Sequence, residues 1–141
     1  MPNAALPIDP AILPHTAGSA ILRGLRGTCP RCGGTHLFAG GLKPVERCRM
    51  CGQNWTLHAA DDFPPYIAIL LTGHLMAPVI IGLGKMEALP AWAMMLIALT
   101  MAGALIAAIL RPAKGGVIAL QWWLGMQGFA GHSGKAEAGV A

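Results

Sequence analysis

The chain has 141 residues, 55% of them hydrophobic and only 11% charged, with a formal net charge of +4. A soluble domain carries about 25% charged residues, so this composition argues against an ordinary water-soluble globule and for a small module joined to a membrane segment. The charge is also segregated. Arg23, Arg26, Arg31, Lys43, Arg47 and Arg49 lie together beside the single acid Glu46, whereas Lys85 and Glu87 are the only charges from 63 to 110.

Residues 1–20 hold Pro2, Pro7, Pro10 and Pro14 and neither Lys nor Arg. A secretory signal needs a positive start and an unbroken apolar run, so this stretch reads instead as a flexible, proline-rich arm. Ile8, Ile12 and Leu13 are its apolar residues, and His15 reads as a surface residue.

Residues 21–60 form a head organised around all four cysteines of the chain. Cys29-Pro30-Arg31-Cys32-Gly33 and Cys48-Arg49-Met50-Cys51-Gly52 are two Cys-x-x-Cys-Gly units with fifteen residues between Cys32 and Cys48. Two such knuckles can close a tetrahedral thiolate site, the geometry that zinc favours. The glycine after each pair lets the chain curl around a metal. Thr35–Phe38 and Leu42–Arg47 read as short strands about Gly40-Gly41, with a further one at Asn54–Leu57. So few apolar side chains make a head that metal must stabilise, by roughly 10 kcal/mol or more for structural zinc. Iron is the rival metal, because rubredoxin-type centres use the same knuckles. A redox dithiol would not need two matched knuckles, and disulfides would require an oxidising compartment. His36 and His58 would be surplus ligands beside four thiolates.

The pI near 9.2 raises the question of nucleic acid. The head offers only Phe38 and Trp55 for base stacking, so no nucleic-acid partner is expected. Cations that offset four metal-bound thiolates, or that set orientation beside a membrane, account for the charge.

His58–Pro65 form the joint. Asp61-Asp62 ahead of Pro64-Pro65 read as a helix start, with Asp62 as cap and acid at the positive end of the helix dipole. The functional alternative is that Asp61 and Asp62 bind a cation or a partner's arginine. Residues 61–113 are then a two-helix hairpin. The apolar runs 63–83 and 89–110 contain no acid, Lys or Arg, and a bilayer core needs about twenty such residues. Counting cations on the loops places both ends in the cytoplasm.

His74, near the middle of the first run, is a functional candidate because polar rings are rare there. Pro78 lacks the N–H that would bond the carbonyl of residue 74, which offers a structural role for the ring at a kink. Gly103, Ala104, Ala107 and Ala108 allow close helix packing. Arg111-Pro112-Ala113-Lys114-Gly115-Gly116 reads as the exit from the membrane. Residues 114–130, with Trp122-Trp123, read as an interfacial amphipathic helix on the cytoplasmic surface or against a partner. Residues 131–141 read as a disordered tail.

The expected fold is therefore a small zinc-ribbon head, β-rich and metal-stabilised, followed by an α-helical transmembrane hairpin and a C-terminal interfacial helix. Several stretches together resemble the bacterial "domain of unknown function 983" family of small membrane proteins. They are Gly27-Thr28-Cys29-Pro30-Arg31-Cys32-Gly33, Arg47-Cys48-Arg49-Met50-Cys51-Gly52, Ala60-Asp61-Asp62 with Pro64 and Tyr66, Gly73-His74, and Lys114-Gly115-Gly116 leading to Leu120-Gln121-Trp122. The resemblance runs from about 23 to 130 and implies a bacterial inner-membrane location. Members of that family tend to be encoded near cytochrome c oxidase subunits and assembly factors. This association implies a role in building or decorating a terminal oxidase.

The residues themselves offer no nucleophile–base pair, phosphate loop or spaced carboxylate dyad. The expectation is a non-enzymatic docking or assembly factor in the lipid bilayer. The alternatives are a metal or redox carrier working through Cys29, Cys32, Cys48 and Cys51, and a membrane-surface enzyme using Asp61, Asp62 and His58 or His74.

Overall fold

The computed structural model describes residues 8–57, 63–86 and 89–129. A 3-10 turn, Pro10–Ile12, is followed by α1 (Ala17–Leu25), β1 (Phe38–Gly40), β2 (Lys43–Pro44), α2 (Phe63–Gly84) and α3 (Ala91–Trp123). The arm expected over 1–20 is ordered structure from residue 10 onward. Asp9 caps the 3-10 turn by accepting from the Ala11 N–H. Thr16 and Ser19 cap α1 reciprocally: Thr16 Oγ1 accepts from the Ser19 N–H, and Ser19 Oγ from the Thr16 N–H. Two otherwise orphaned helix-start donors are thereby satisfied. This short amphipathic helix has no counterpart in the sequence reading.

The ribbon is small. β1 and β2 pair antiparallel, Phe38 opposite Pro44, through a turn in which Gly41 has a φ of +54°. Isolated bridges Thr28–His36 and Arg47–Asn54 close the chain around each knuckle. The expected strand at Asn54–Leu57 amounts to this single bridge.

α2 and α3 are both long and apolar enough to cross a membrane. Among the described residues of each, one seam faces the other helix and the rest is open. On α2, Pro64, Ala68, Thr72 and Met76 are buried, at helical spacing. Outside that seam large apolar side chains stay uncovered by the chain, such as Leu70 at 61%, Leu99 at 62% and Trp92 at 66% exposed. The small residues Gly103, Ala104, Ala107 and Ala108 are not this seam; Gly103, Ala104, Ala107 and Ala108 are exposed.

The largest departure from expectation lies beyond residue 110. Among the described residues, no separate interfacial helix forms from 114 onward. α3 continues unbroken through Pro112 and Gly115-Gly116 to Trp123, and its last third enters the head. Pro112 removes one intrahelical hydrogen bond, but tertiary packing outweighs that loss. Val117, Ile118 and Trp122 are buried in one cluster with Ala20 of α1, the four cysteines, Leu37, Phe38 and Trp55. The glycines that suggested a helix exit are instead a contact surface. A Cβ built on Gly24 would overlap the carbonyl oxygen of Gly115, and one on Gly115 would overlap that of Gly24. The expected tail, 131–141, lies outside the described residues.

Candidate metal centre

Each knuckle closes on its glycine. The Gly33 N–H donates to the Cys29 carbonyl at 2.7 Å and the Gly52 N–H to that of Cys48 at 2.9 Å. Both glycines sit in the left-handed region, at φ +69° and +67°, where a Cβ would be strained. The two turns bring together Cys29, Cys32, Cys48 and Cys51, whose sulfurs all lie within 4.8 Å of one another. The Sγ–Sγ separations are 3.8 Å for Cys29–Cys51 and 3.6 Å for Cys32–Cys48. A tetrahedron with metal–sulfur bonds of about 2.3 Å has edges of about 3.8 Å. A disulfide would need about 2.05 Å. The cluster therefore has the dimensions of a four-thiolate metal site, and these four cysteines can hold a metal ion.

The surroundings suit thiolates. Backbone N–H groups of Cys32, Gly34 and Gln53 hydrogen-bond the sulfurs of Cys29, Cys32 and Cys51, respectively. Thr35 Oγ1 lies 3.0 Å from Cys48 Sγ; towards a thiolate the hydroxyl is the donor. Arg31, inside the first knuckle, reaches across to donate from Nη1 to the Cys51 carbonyl at 3.0 Å. Arg23 holds the Ile12 and Arg31 carbonyls at 2.9 and 3.1 Å. Burial leaves the cysteines 0–5% exposed. Cys29 and Cys51 face each other sulfur to sulfur. Its hydrogen bond with Cys29 brings Cys51 down to about 5. The same bond, followed by burial, pushes Cys29 up. Burial likewise raises Cys32.

The sequence located all four sulfurs, but not Thr35 or α1. No spacing rule marks a hydroxyl three residues beyond the second cysteine; only the fold aims it at Cys48. His36 is exposed and outside the sulfur cluster. His58, Asp61 and Asp62 lie outside the described residues. His74 is exposed on α2, away from the α3 seam, and its Nδ1 lies 2.8 Å from the Leu70 carbonyl. A carbonyl only accepts, so this contact selects the Nδ1–H tautomer. The hydrogen bond runs back one turn along the same helix and does not reach α3.

The family model described as "Protein of unknown function (DUF983)" matches residues 38–122, more than half of the chain. The chain belongs to the DUF983 family. No curated protein and no solved structure matches it. The matched segment of this DUF983 protein contains the second knuckle, the helical hairpin and the part of α3 that enters the head. The first knuckle precedes it, and the sulfur geometry is what joins the two.

Proposed function

We propose that this DUF983 protein is a non-enzymatic inner-membrane protein whose zinc ribbon is a cytoplasmic docking head for a larger membrane complex. A terminal oxidase of the cytochrome c oxidase type is the complex we favour, on the genomic company of the family. The observation that carries the reading is the attachment of the four-cysteine head to the last third of α3. Trp55 of the ribbon is fully buried and packs edge-on against Trp122 of α3, with ring centroids 6.3 Å apart. A partner bound to the head would thereby bear directly on a membrane helix.

Three further features support it. The exposed apolar faces of α2 and α3 fit a lipid environment or a membrane partner. Six cations precede the first span and Arg111 and Lys114 follow the second, against Lys85 in the turn, which favours cytoplasmic ends. Four protein thiolates fill a tetrahedral zinc and leave no open position for substrate, as in structural rather than catalytic sites. Bound zinc would supply folding free energy and fix both knuckles.

Purification from membranes in mild detergent tests the proposal. A stable membrane partner is expected, lost when the cysteines are replaced; recovery of the protein alone counts against docking. The second reading, an iron-based electron carrier, uses the same sulfurs. One colourless zinc per chain rejects it, whereas a red, bleachable centre supports it.

A further inference from the structure

Every buried residue of α3 lies beyond Pro112, from Ala113 to Trp122. Local rules disfavour helix in this part of the chain. Pro112 has no N–H for the Ala108 carbonyl, and it disfavours helical backbone at Arg111. Gly115 and Gly116 follow within about one turn. Three of the thirteen residues from 111 to 123 thus belong to the two poorest helix-forming types. Proline is well tolerated only in the first turn of a helix. A chain without tertiary contacts would therefore break α3 here.

The contacts that override those rules are organised by the knuckles. Ile21 and Leu25 of α1 cover Gly116. α1 is tied in turn to the first knuckle: Arg23 Nη1 donates to the Arg31 carbonyl at 3.1 Å, and Thr28 Oγ1 donates to the Arg23 carbonyl at 2.9 Å. Val117, Ile118 and Trp122 pack in one cluster with the four cysteines, Leu37 and Trp55. Beneath them the two strands have three and two residues, and a two-stranded hairpin is marginal on its own. A metal on the four sulfurs would hold together the platform against which residues 113–122 are helical.

We infer that the last third of α3 is a metal-dependent extension of the second apolar helix. With the metal bound, α3 is one helix to Trp123 and the head is fixed to the hairpin. When the metal leaves, the helix ends before Pro112, and the head is released while the hairpin stays folded. Attachment of the docking head is thereby conditional on its metal. This inference deepens the docking proposal and rests on the four cysteines holding an ion.

Amide hydrogen exchange on the full-length protein in mild detergent, metal-loaded and after a chelator has removed the metal, tests it. Exchange over 113–122 should speed at least about a thousandfold on removal, a fraction of what structural zinc contributes to folding. Residues 66–82 and 94–108 should be unchanged. C48S, which loses a ligand without a chelator, should match the stripped protein. P112A should mend the break: exchange over 110–114 should slow at least about tenfold in the stripped protein and stay the same in the loaded one. Equal protection of 113–122 with and without metal overturns the inference. So does loosening that runs back through 94–108 with no boundary at Pro112, or a stripped P112A protein that exchanges like the stripped parent. Metal content is measured on the same samples. A protein that holds no metal on these cysteines removes the four-thiolate reading and this inference with it. One that holds a metal, loses it to the chelator and keeps 113–122 protected removes the inference alone.

Discussion

Gly24 of α1 and Gly115 of α3 meet backbone against backbone, each occupying space that a Cβ on the other would need. This contact fastens the helix that precedes the first knuckle to the helix that leaves the hairpin. Ala119 lies against the same point, close to where a Gly24 Cβ would stand. Both glycines are inside helices, where glycine costs about 1 kcal/mol relative to alanine. The close approach is what that cost makes possible.

G24A and G115A should therefore destabilise the protein despite their better helix propensity. Overpacking costs about 1–3 kcal/mol, which exceeds the propensity gain. G103A is the internal control: nothing lies within 4 Å of its Cβ position. It should be neutral or slightly stabilising. Thermal unfolding in detergent compares the three, and equal behaviour would remove the proposed clamp.

Trp122 distinguishes a core residue from an interfacial anchor. It is 2% exposed and touches Trp55, which in turn packs 5.8 Å from the Phe129 ring. W122A should cost about 3–5 kcal/mol of head stability and speed metal loss to a chelator. W92A removes a ring that is 66% exposed at the start of α3 and should leave metal retention unchanged.

Metal occupancy should follow pH with a definite sign. The metal-free site keeps protons on Cys29 and Cys32, whose thiols are raised, and metal binding expels them. Apparent affinity therefore rises with pH and falls on acidification. On acidification protons compete with the metal for the sulfurs, and occupancy should fall. Chelator competition across pH 5 to 8 reads the slope directly. A flat profile would contradict four-thiolate binding.

Thr35 should matter to the metal more than its position suggests. T35V keeps the shape and removes the hydroxyl beside Cys48 Sγ. Partners of metal ligands are commonly worth 10–100-fold in affinity, so metal retention should drop by at least about tenfold. T56V, at a hydroxyl that bonds Asn54 Oδ1 at 2.7 Å, should leave retention unaltered.

The two knuckles were legible because their signal is local. Cysteine spacing and a following glycine determine a turn whatever lies around it, and the observed φ values of Gly33 and Gly52 follow from that chemistry. The apolar helices were legible for a similar reason: length and the lack of charge are properties of a single segment. α1 was hidden by the prolines before it, although Thr16 and Ser19 carried its cap. Residues 111–123 were misread because Pro112 and Gly115-Gly116 are helix-breaking by local rules.

The sequence by itself determined a four-sulfur head and two helices long and apolar enough for a bilayer. Only the tertiary structure decided that α3 runs on into that head, that Gly24 and Gly115 touch, and that Trp122 belongs to the core with Trp55. The physical reason is distance along the chain. These contacts join residues some 70 to 90 positions apart, and a glycine that permits close packing looks, from its neighbours alone, the same as one that ends a helix.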